Sequence, residues 1–287
     1  MGDSQAREPG VREPGGRAPG VGEPDVGEPD VRELREIDEF RDVEHLYGGI
    51  WPAVPGQGLP VTVELMRALT YAGNYVAGAY RGGRMVGAAV AFLGAPIGET
   101  LHSHVTGALA GSGAGFALKT HQRGWALARG LRRITWTYDP LIRRNAHFNV
   151  TKLGARPVSY LPDFYGDMMD TVNSGDESDR LLVSWELNDP RVRAAVRHDW
   201  TPPPPPPNAE SALTTRAGRP APTGTNAETV LIAVPPDIES LRRTDPTTSR
   251  AWRTALRDTL GVLLDHGATV LSFDRDAGYV VSRSRQE

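Results

Sequence analysis

The 287-residue sequence contains no cysteine, which excludes disulfides, thiolate metal sites and cysteine nucleophiles together. Lysine is almost as scarce, because it occurs only at Lys119 and Lys152. No apolar run reaches the roughly 18 residues that a membrane-spanning helix needs, and the N-terminal residues lack the apolar core of a signal peptide. A net charge of −3 gives no broad basic surface for nucleic acid. These absences favour a cytoplasmic protein without a nucleic-acid, membrane or metal-binding role.

Composition divides the chain into four parts. Residues 1–31 repeat short Pro-Gly and Pro-Asp units and hold too little apolar surface to fold, which predicts a disordered arm. Residues 32–200 carry amphipathic and alternating segments typical of an α/β domain. Residues 201–227 include a run of consecutive prolines and predict a stiff linker. Residues 228–287 predict a small α/β extension, too short to be independent, that docks against the first domain.

Periodicity predicts most of the regular elements. Apolar residues at helical spacing predict a helix over part of 33–47, a helix over 63–72, and a helix that starts at Asp245-Pro246. Alternation predicts a hairpin of 74–80 with 85–93, strands over 158–161, 181–187 and 230–234, and a C-terminal hairpin of 270–274 with 279–282.

The stretch Leu101–Gly154 contains the strongest indication of function. An alternating strand over 101–107 leads into Gly111-Ser112-Gly113-Ala114-Gly115, and a helix of about 116–129 follows. Glycines at alternate positions leave backbone N–H groups open to an anion, and the helix N-terminus adds its positive dipole end. The pattern predicts a phosphate or pyrophosphate site, although a glycine-rich turn can also serve packing alone.

Two further features surround this turn. Alternation places Leu101, Ser103 and Val105 on one side of the strand, opposite His102, His104 and Thr106. A second strand over 133–139 precedes a short helix whose buried face is Ala146, Val150 and Leu153 and which ends at Gly154.

These residues resemble the cofactor-binding half of acyltransferases of the GNAT superfamily, and most closely a poorly characterised bacterial branch. The resemblance covers about 32–197 and, more loosely, 231–283. It rests on several sequence motifs that occur in the same order as in that branch. They are SHVTG (Ser103–Gly107), GFALK (Gly115–Lys119), QR-x-WAL-x-RG (Gln122–Gly130), WT-x-DPL-x-RRNA (Trp136–Ala146), KLGA (Lys152–Ala155), YG (Tyr165–Gly166) and SDRLLV-x-W (Ser178–Trp185).

The resemblance implies an α/β fold with a mixed, mostly antiparallel sheet flanked by helices and followed by the small extension. It implies acetyl-CoA or another acyl-CoA as cofactor, and transfer of the acyl group to an amine of a small molecule or peptide. The sequence leaves open whether the protein forms a homodimer. The positions that the family's motif assigns to the cofactor are Val105, Thr106, Gly107, Gly111, Gly113, Gly115, Phe116, Asn145 and Phe148.

The sequence departs from the family's pattern at two positions. Ala110 stands where an arginine or glutamine usually contacts the pyrophosphate, in a loop about three residues short. Phe148 stands where a tyrosine usually acts as the acid. We therefore expect the acid to be Tyr138 or Tyr165. The candidate for the base that removes the amine proton is His104, and the alternative is that His104 is a hydrogen-bonded structural histidine.

Other polar residues allow two interpretations each. His102 and His104 share a strand face, but a metal would need a third ligand that the sequence does not indicate. Asp139 fits a turn residue before Pro140. The run Ser178-Asp179-Arg180 either binds a carboxylate of the acceptor or forms an ion pair that holds the fold.

Three functional hypotheses follow. The first is a CoA-dependent N-acyltransferase. The second is a degenerate domain of that family that binds acyl-CoA or a protein without turnover, which Ala110 and Phe148 favour. The third is a dinucleotide-binding enzyme, since Asp139 ends the strand after Gly111-x-Gly113, but the glycines read GxGxG and not GxGxxG.

Overall fold

The computed structural model describes residues 1, 27–52, 59–166 and 176–284. Most of the predicted arm, residues 2–26, lies outside these ranges. Its predicted end at Val31 is two residues too late, because the first strand, β1 (Asp30–Glu33), already pairs with β2 (Tyr75–Arg81). Pairing with a neighbouring strand gives these polar residues backbone partners that composition does not reveal.

The main sheet has the order β1-β2-β3-β4-β5-β7-β6. Its other strands are β3 (Arg84–Gly94), β4 (Thr100–Ala108), β5 (Arg133–Tyr138), β6 (Arg156–Leu161) and β7 (Arg180–Glu186). Strands β4 and β5 are parallel, and the other neighbouring strands are antiparallel. The predicted mixed, mostly antiparallel sheet is confirmed.

Helices cover both faces of this sheet. On one face, α1 (Ile37–Ile50) and α2 (Val63–Tyr71) pack in a core that includes Phe40 and Met66. On the other face lies α3 (Ala114–Ala128), whose Leu118 is fully buried. The predicted helix within 33–47 is confirmed. It starts at Ile37, because β1 takes Glu33 and a capping box of Glu36 with Glu39 precedes the first helical residue.

The segment after β5 forms α4 (Arg143–Ala146), which continues as a π-helix over His147–Lys152. The predicted face is confirmed, since Ala146, Val150 and Leu153 are all buried. After β7, α5 (Pro190–Ala195) follows the N-cap Asp189, whose side chain accepts from the Arg191 amide.

The C-terminal part forms a second sheet with the order β11-β12-β10-β8-β9. Its strands are β8 (Glu210–Arg216), β9 (Arg219–Pro222), β10 (Thr229–Ile232), β11 (Thr269–Asp274) and β12 (Gly278–Ser282). Its helices are α6 (Ile238–Thr244), α7 (Pro246–Leu256), a π-helical segment (Arg257–Gly261) and α8 (Val262–Asp265). The N-cap at Asp245 is confirmed, because its side chain accepts from the Thr248 amide.

The prediction of a linker over 201–227 is wrong for its second half, where β8 and β9 form a hairpin of the second sheet. The hairpin is hard to recognise because its turn is Ala217-Gly218, both with positive φ, and not the usual Asn-Gly or Asp-Gly. Pro220 and Pro222 also suggest a loop, but β9 lies at the sheet edge, where proline is tolerated.

The extension shares the core of the first domain, and a buried group of charges joins the two parts. Asp139, at the end of β5, accepts from Leu141 N at 2.9 Å, as expected of a turn residue. Its carboxylate also binds Arg253 of α7, with Nη1 at 3.1 Å, and Arg242 of α6. Asp176 binds Arg253 Nη2 at 2.8 Å and Arg242 Nε at 3.2 Å. We call these four residues the ion network.

The ion network is almost fully withdrawn from water, with side-chain exposures of 1% for the arginines and 4% for the aspartates. Burial alone would raise the pKa of the Asp139 carboxyl, but the charges of Arg253 and Arg242 outweigh burial and hold that pKa well below its usual range. Such a group is costly to break, because removal of one partner leaves an uncompensated buried charge.

We therefore predict that Arg253→Met lowers the free energy of unfolding by about 3–5 kcal/mol. The measurement is urea denaturation. Arg250→Met, on the exposed side of α7, is the matched control and should change the stability by less than about 0.5 kcal/mol. Equal effects of the two substitutions would contradict a structural role of the ion network.

Candidate active site

Strands β4 and β5 are paired at one end only. Their pairs are Thr100–Arg133, Leu101–Ile134 and His102–Thr135. Beyond this point β4 continues to Ala108 and β5 to Tyr138 without pairing to each other, although both keep their outer neighbours. We call the space between the diverging strands the fork, closed at His102 and open toward Ala108. Its edges present backbone N–H and C=O groups that an extended ligand can pair with.

The glycine turn, Gly111–Gly115, lies at the open end of the fork. Gly111 and Gly113 both have φ of 73°, which a residue with a Cβ rarely adopts. The N–H groups of Gly111, Gly113 and Gly115 have no backbone partner among the described residues. Ser112 fixes the turn, because its Oγ donates to Leu109 O at 2.7 Å and accepts from Ala114 N at 3.2 Å. Three alternate amides are thus available to an anion at the start of α3.

The structure brings two of the predicted cofactor residues together across the open end. A Cβ built on Gly115 would lie 3.8 Å from Phe148 Cζ and 4.0 Å from Ala108 Cβ. Gly115 therefore faces the gap between the end of β4 and the helix after β5. Absence of a side chain at Gly115 keeps this gap open, which fits the passage of a narrow, extended cofactor arm.

Phe116 is placed differently from the expectation. Its amide, predicted to bind the pyrophosphate, donates to Gly113 O at 3.2 Å as part of the first helical turn. Its ring stacks on His198, with ring centroids 4.5 Å apart. Phe116 thus borders the turn through its ring and not through its amide.

Arg81 is a residue that the sequence analysis missed. It lies at the tip of the β2–β3 hairpin, and its Nη2 donates to Ser112 O at 2.8 Å and to Gly27 O at 3.0 Å. A guanidinium therefore stands beside the glycine turn, although Ala110 offers no polar side chain. Only the hairpin's proximity to the turn, which a single sequence does not reveal, could have indicated it.

Strand β4 contains a bulge inside the fork. Ser103 pairs with Ala91 and Val105 with Val90, so His104 is the extra residue. The predicted alternation is wrong beyond this point, because the bulge turns Val105 to the face of α1 and α2, where it packs against their core. Ser103 keeps the opposite orientation and contacts α3. The bulge thus changes which side chains face each side of the fork.

Gly107 and Thr106 complete the β4 edge. A Cβ on Gly107 would lie 2.9 Å from atoms of Tyr47 and Trp51, so this glycine is required for the approach of α1. Its backbone remains on the fork edge. The Thr106 hydroxyl is buried and has no hydrogen-bond partner among the described residues.

The histidines lie on the face of α1 and α2. His104 Nε2 is 3.4 Å from Pro60 O, at the start of α2. His102 Nδ1 is 3.1 Å from Thr135 Oγ1. Burial, with smaller contributions from His104 and Lys119, lowers the pKa of His102 to about 4, so His102 is neutral near pH 7. His104 is partly exposed and is the better placed of the two for contact with an acceptor.

The two tyrosines predicted as acids have different surroundings. The Tyr165 hydroxyl lies 3.2 Å from Thr137 Oγ1 of the fork, and its ring is 42% exposed. The Tyr138 hydroxyl is buried 3.3 Å from the hydroxyl of Tyr279, and burial raises its pKa well above its usual range. Proton donation from Tyr138 is therefore disfavoured, and Tyr165 is the accessible candidate.

Asn145 is half-buried in α4, and its backbone N–H donates to Ile142 O at 3.0 Å. The neighbouring Asn149 is buried and accepts from Trp136 Nε1 at 2.9 Å. Asn149 thus fixes the indole of β5, whereas the Asn145 side chain makes no such contact in the described structure.

The run Ser178–Arg180 has a structural role. Asp179 accepts from Tyr160 Oη at 2.7 Å and from Arg257 Nε at 3.0 Å. Of the two interpretations, the structure therefore contains the ion pair that holds the fold, formed by Asp179 and Arg257. Among the described residues no group of three or more histidine or acidic side chains is arranged for a metal ion, and none of their helices has the length and apolar character to cross a membrane.

Lys119 is the second residue that the sequence analysis missed. It lies on α3 and is only 4% exposed. Its Nζ donates to Ser103 Oγ at 2.9 Å and lies 3.7 Å from the ring centroid of Trp136. Burial lowers the pKa of its ammonium to about 7. A buried amine without an acidic neighbour is indicated in the sequence only by a lysine on the apolar face of a helix.

Comparison with known proteins found no matching family model and no matching curated protein. Several solved structures match. The aminoglycoside 6'-acetyltransferase type Ii is 16% identical over 55% of this chain and 97% of its own length, with a TM-score of 0.44. An acetyltransferase of the GNAT family from Streptococcus pneumoniae is 17% identical over 55% and 98%, with a TM-score of 0.44. The protein yncA from Salmonella typhimurium, solved with its cofactor acetyl-CoA, is 14% identical over 57% and 96%, with a TM-score of 0.46.

The structural resemblance is to acetyltransferases. One of the matched structures is described as a GNAT-family acetyltransferase, and the sequence motifs quoted above resemble the same superfamily. The matched region covers 55% of this chain.

The pKa of Lys119 gives a prediction for stability. The value falls from 10.5 to about 7 on folding, so between these pH values the unfolded chain binds one more proton than the folded chain. The free energy of unfolding therefore rises with pH in this window. We predict that the stability gained by Lys119→Met shrinks by about 2 kcal/mol between about pH 7 and pH 9. Urea denaturation at several pH values measures it.

Lys152→Met is the matched control, because Lys152 is exposed. Its effect on stability should not change with pH. A pH-independent effect of Lys119→Met would mean that Lys119 is charged in the folded protein over the whole window.

Proposed function

We propose that the protein is an acyl-CoA-dependent N-acyltransferase, in which an amine attacks the thioester directly. The observation that supports it best is the fork, which opens onto a glycine turn with three amides that have no backbone partner in the described part of the chain. The fork provides an unpaired strand edge for an extended arm, and the turn provides donors and a helix N-terminus for its phosphates. The bound cofactor would supply the activated acyl thioester.

Each part of the site has a role in this proposal. Amides of Gly111, Gly113 and Gly115 bind the pyrophosphate, and Arg81 adds positive charge beside them. The backbone of Val105, Thr106 and Gly107 pairs with the arm. Phe148 and Asn145 border the arm from the helix after β5.

The acceptor enters from the face of α1 and α2, where His104 and Tyr165 lie. His104 removes the proton of the attacking amine, and the hydroxyl of Tyr165 protonates the leaving thiolate. Tyr138 has no part, because its hydroxyl is buried against Tyr279. The bulge at His104 also frees backbone groups of β4 that can polarise the thioester carbonyl.

A binding domain without turnover is the second candidate. It is favoured by Ala110, which offers no side-chain contact to a phosphate, and by Phe148, which has no acidic hydroxyl. This second candidate binds acyl-CoA or a protein partner and transfers no acyl group, so binding and transfer are tested separately.

The acceptor in this proposal is an amine of a small molecule or a peptide. An aminoglycoside is the acceptor printed in the name of one matched structure and belongs in the first screen. A cytoplasmic location and a homodimer are further parts of the proposal that follow from the sequence expectations alone.

The first prediction concerns cofactor binding. Gly115→Trp places an indole in the gap next to Phe148 and should weaken acetyl-CoA and CoA binding at least about 100-fold in calorimetric titration, a loss of about 3 kcal/mol. Gly124→Trp is the matched control, since it lies on the same helix with nothing within 4 Å of its added Cβ. Both variants should keep or raise the melting temperature, because glycine is unfavourable within a helix.

Binding of acetyl-CoA that is equally strong in Gly115→Trp and Gly124→Trp would place the cofactor elsewhere. No binding to the unmodified protein would exclude the acyltransferase and leave a domain that binds a protein partner.

The second prediction concerns transfer. His104→Gln should keep CoA binding and lower the turnover number about 10²–10⁴-fold with any acceptor that releases CoA thiol. His45→Gln, on the exposed side of α1, is the control. Transfer unaffected by His104→Gln would remove this histidine from the mechanism, and binding without transfer to any amine would favour the second candidate.

A further inference from the structure

Lys119 occupies the closed end of the fork. The last β4–β5 pair is His102–Thr135, and Ser103 and Trp136 are the next residues along each strand. Lys119 Nζ contacts both, at 2.9 Å from Ser103 Oγ and 3.7 Å from the Trp136 ring centroid. The amine therefore lies between the two strands at the point where they separate.

The surroundings of this amine are unusual for a lysine. Among the described residues no carboxylate forms an ion pair with Lys119, and its neighbours are a hydroxyl and an aromatic face. His102, the nearest titratable group on β4, is itself neutral near pH 7. Burial leaves a large share of the Lys119 amines unprotonated near neutral pH, and the unprotonated amine is the nucleophilic form.

The same end of the fork is where a thioester would arrive, which rests on the proposed function. With the phosphates on the glycine turn, the arm runs back along the unpaired edge of β4. The distance from Ala108 to Ser103 is about 17 Å at roughly 3.4 Å per residue. This length is comparable to that of an extended pantetheine arm, so its acyl end reaches the vicinity of Ser103 and Lys119.

We propose that Lys119 is an internal acyl acceptor, modified by the acyl-CoA that binds in the fork. The Lys119 nitrogen attacks the thioester carbonyl, a C–N bond forms, the C–S bond breaks, and the departing thiolate takes the proton lost by nitrogen. The products are Nε-acyl-Lys119 and free CoA, and no other reactant is needed.

This modification would regulate the site. An amide at Lys119 carries no charge, keeps one N–H for Ser103 and removes the cost of a buried amine. Its acyl group also fills the closed end of the fork, where the acyl end of the next acyl-CoA would lie. Modified protein should therefore be more stable and bind acetyl-CoA more weakly than unmodified protein.

The test uses the full chain, which carries its own control because Lys152 is its other lysine and is exposed. The protein is incubated with acetyl-CoA near neutral pH, and acetylation of each lysine is followed by peptide mass spectrometry. We expect Lys119 to be acetylated at least about tenfold faster than Lys152, since acetyl-CoA bound in the fork holds its thioester close to Lys119. In urea-unfolded protein the two rates should become equal.

Two variants accompany this experiment. Lys119→Arg should lose the adduct, whereas Lys152→Arg should keep both the adduct and CoA binding by calorimetry. Two results would overturn this inference and leave the proposed function intact. One is acetyl-CoA binding without faster acetylation of Lys119, and the other is a preference for Lys119 over Lys152 that persists in urea. Absence of CoA binding would overturn it together with the proposed function.

Discussion

Unpaired backbone N–H and C=O groups inside a protein are costly, and the β4 edge beyond His102 presents a row of them. The rest of the first domain can be understood from this constraint. Strand β4 stays paired with β3 on its other side, and the rings of Tyr47 and Trp51 pack against Gly107 from the side of α1. The edge is thus held in place while it lacks a partner, which is the condition for binding an extended chain.

The second strand of the fork is held from a distance. At the end of β5, Asp139 is bound by arginines of α6 and α7, and Tyr138 meets Tyr279 of β12. The extension also contacts the helix after β5, where Arg143 donates to Val234 O at 3.2 Å and Thr151 to Phe273 O at 2.9 Å. The C-terminal part therefore acts as a brace for one side of the candidate site and contributes none of its proposed catalytic residues.

Sequence patterns predicted the parts that depend on local physics. The helix after the glycine turn, the face Ala146–Leu153 and the cap at Asp245 follow from periodicity and capping, and they are confirmed. The β8–β9 hairpin was missed because its turn and its prolines imitate a loop. The bulge at His104 was missed because one extra residue in a strand does not change the composition of the segment.

The remaining site residues depend on contacts between distant segments. Arg81 reaches the glycine turn across 31 residues, and Lys119 meets Ser103 across 16. Asp139 looked like a turn residue and is one, but its arginine partners lie more than 100 residues later. Such pairings follow from the topology of the sheet, which the order of strands in a single sequence does not specify.

The long sequence separation between Asp139 and its arginine partners also affects folding during synthesis on the ribosome. A ribosome releases β5 well before α6 and α7, so the carboxylate at the end of β5 exists for a time without Arg242 or Arg253. During that time the sheet can form up to β7, but the end of β5 lacks the charges of Arg242 and Arg253 and the shared core is incomplete. The fork therefore reaches its final shape only after the last helices have emerged, and a nascent chain should acquire ligand affinity late.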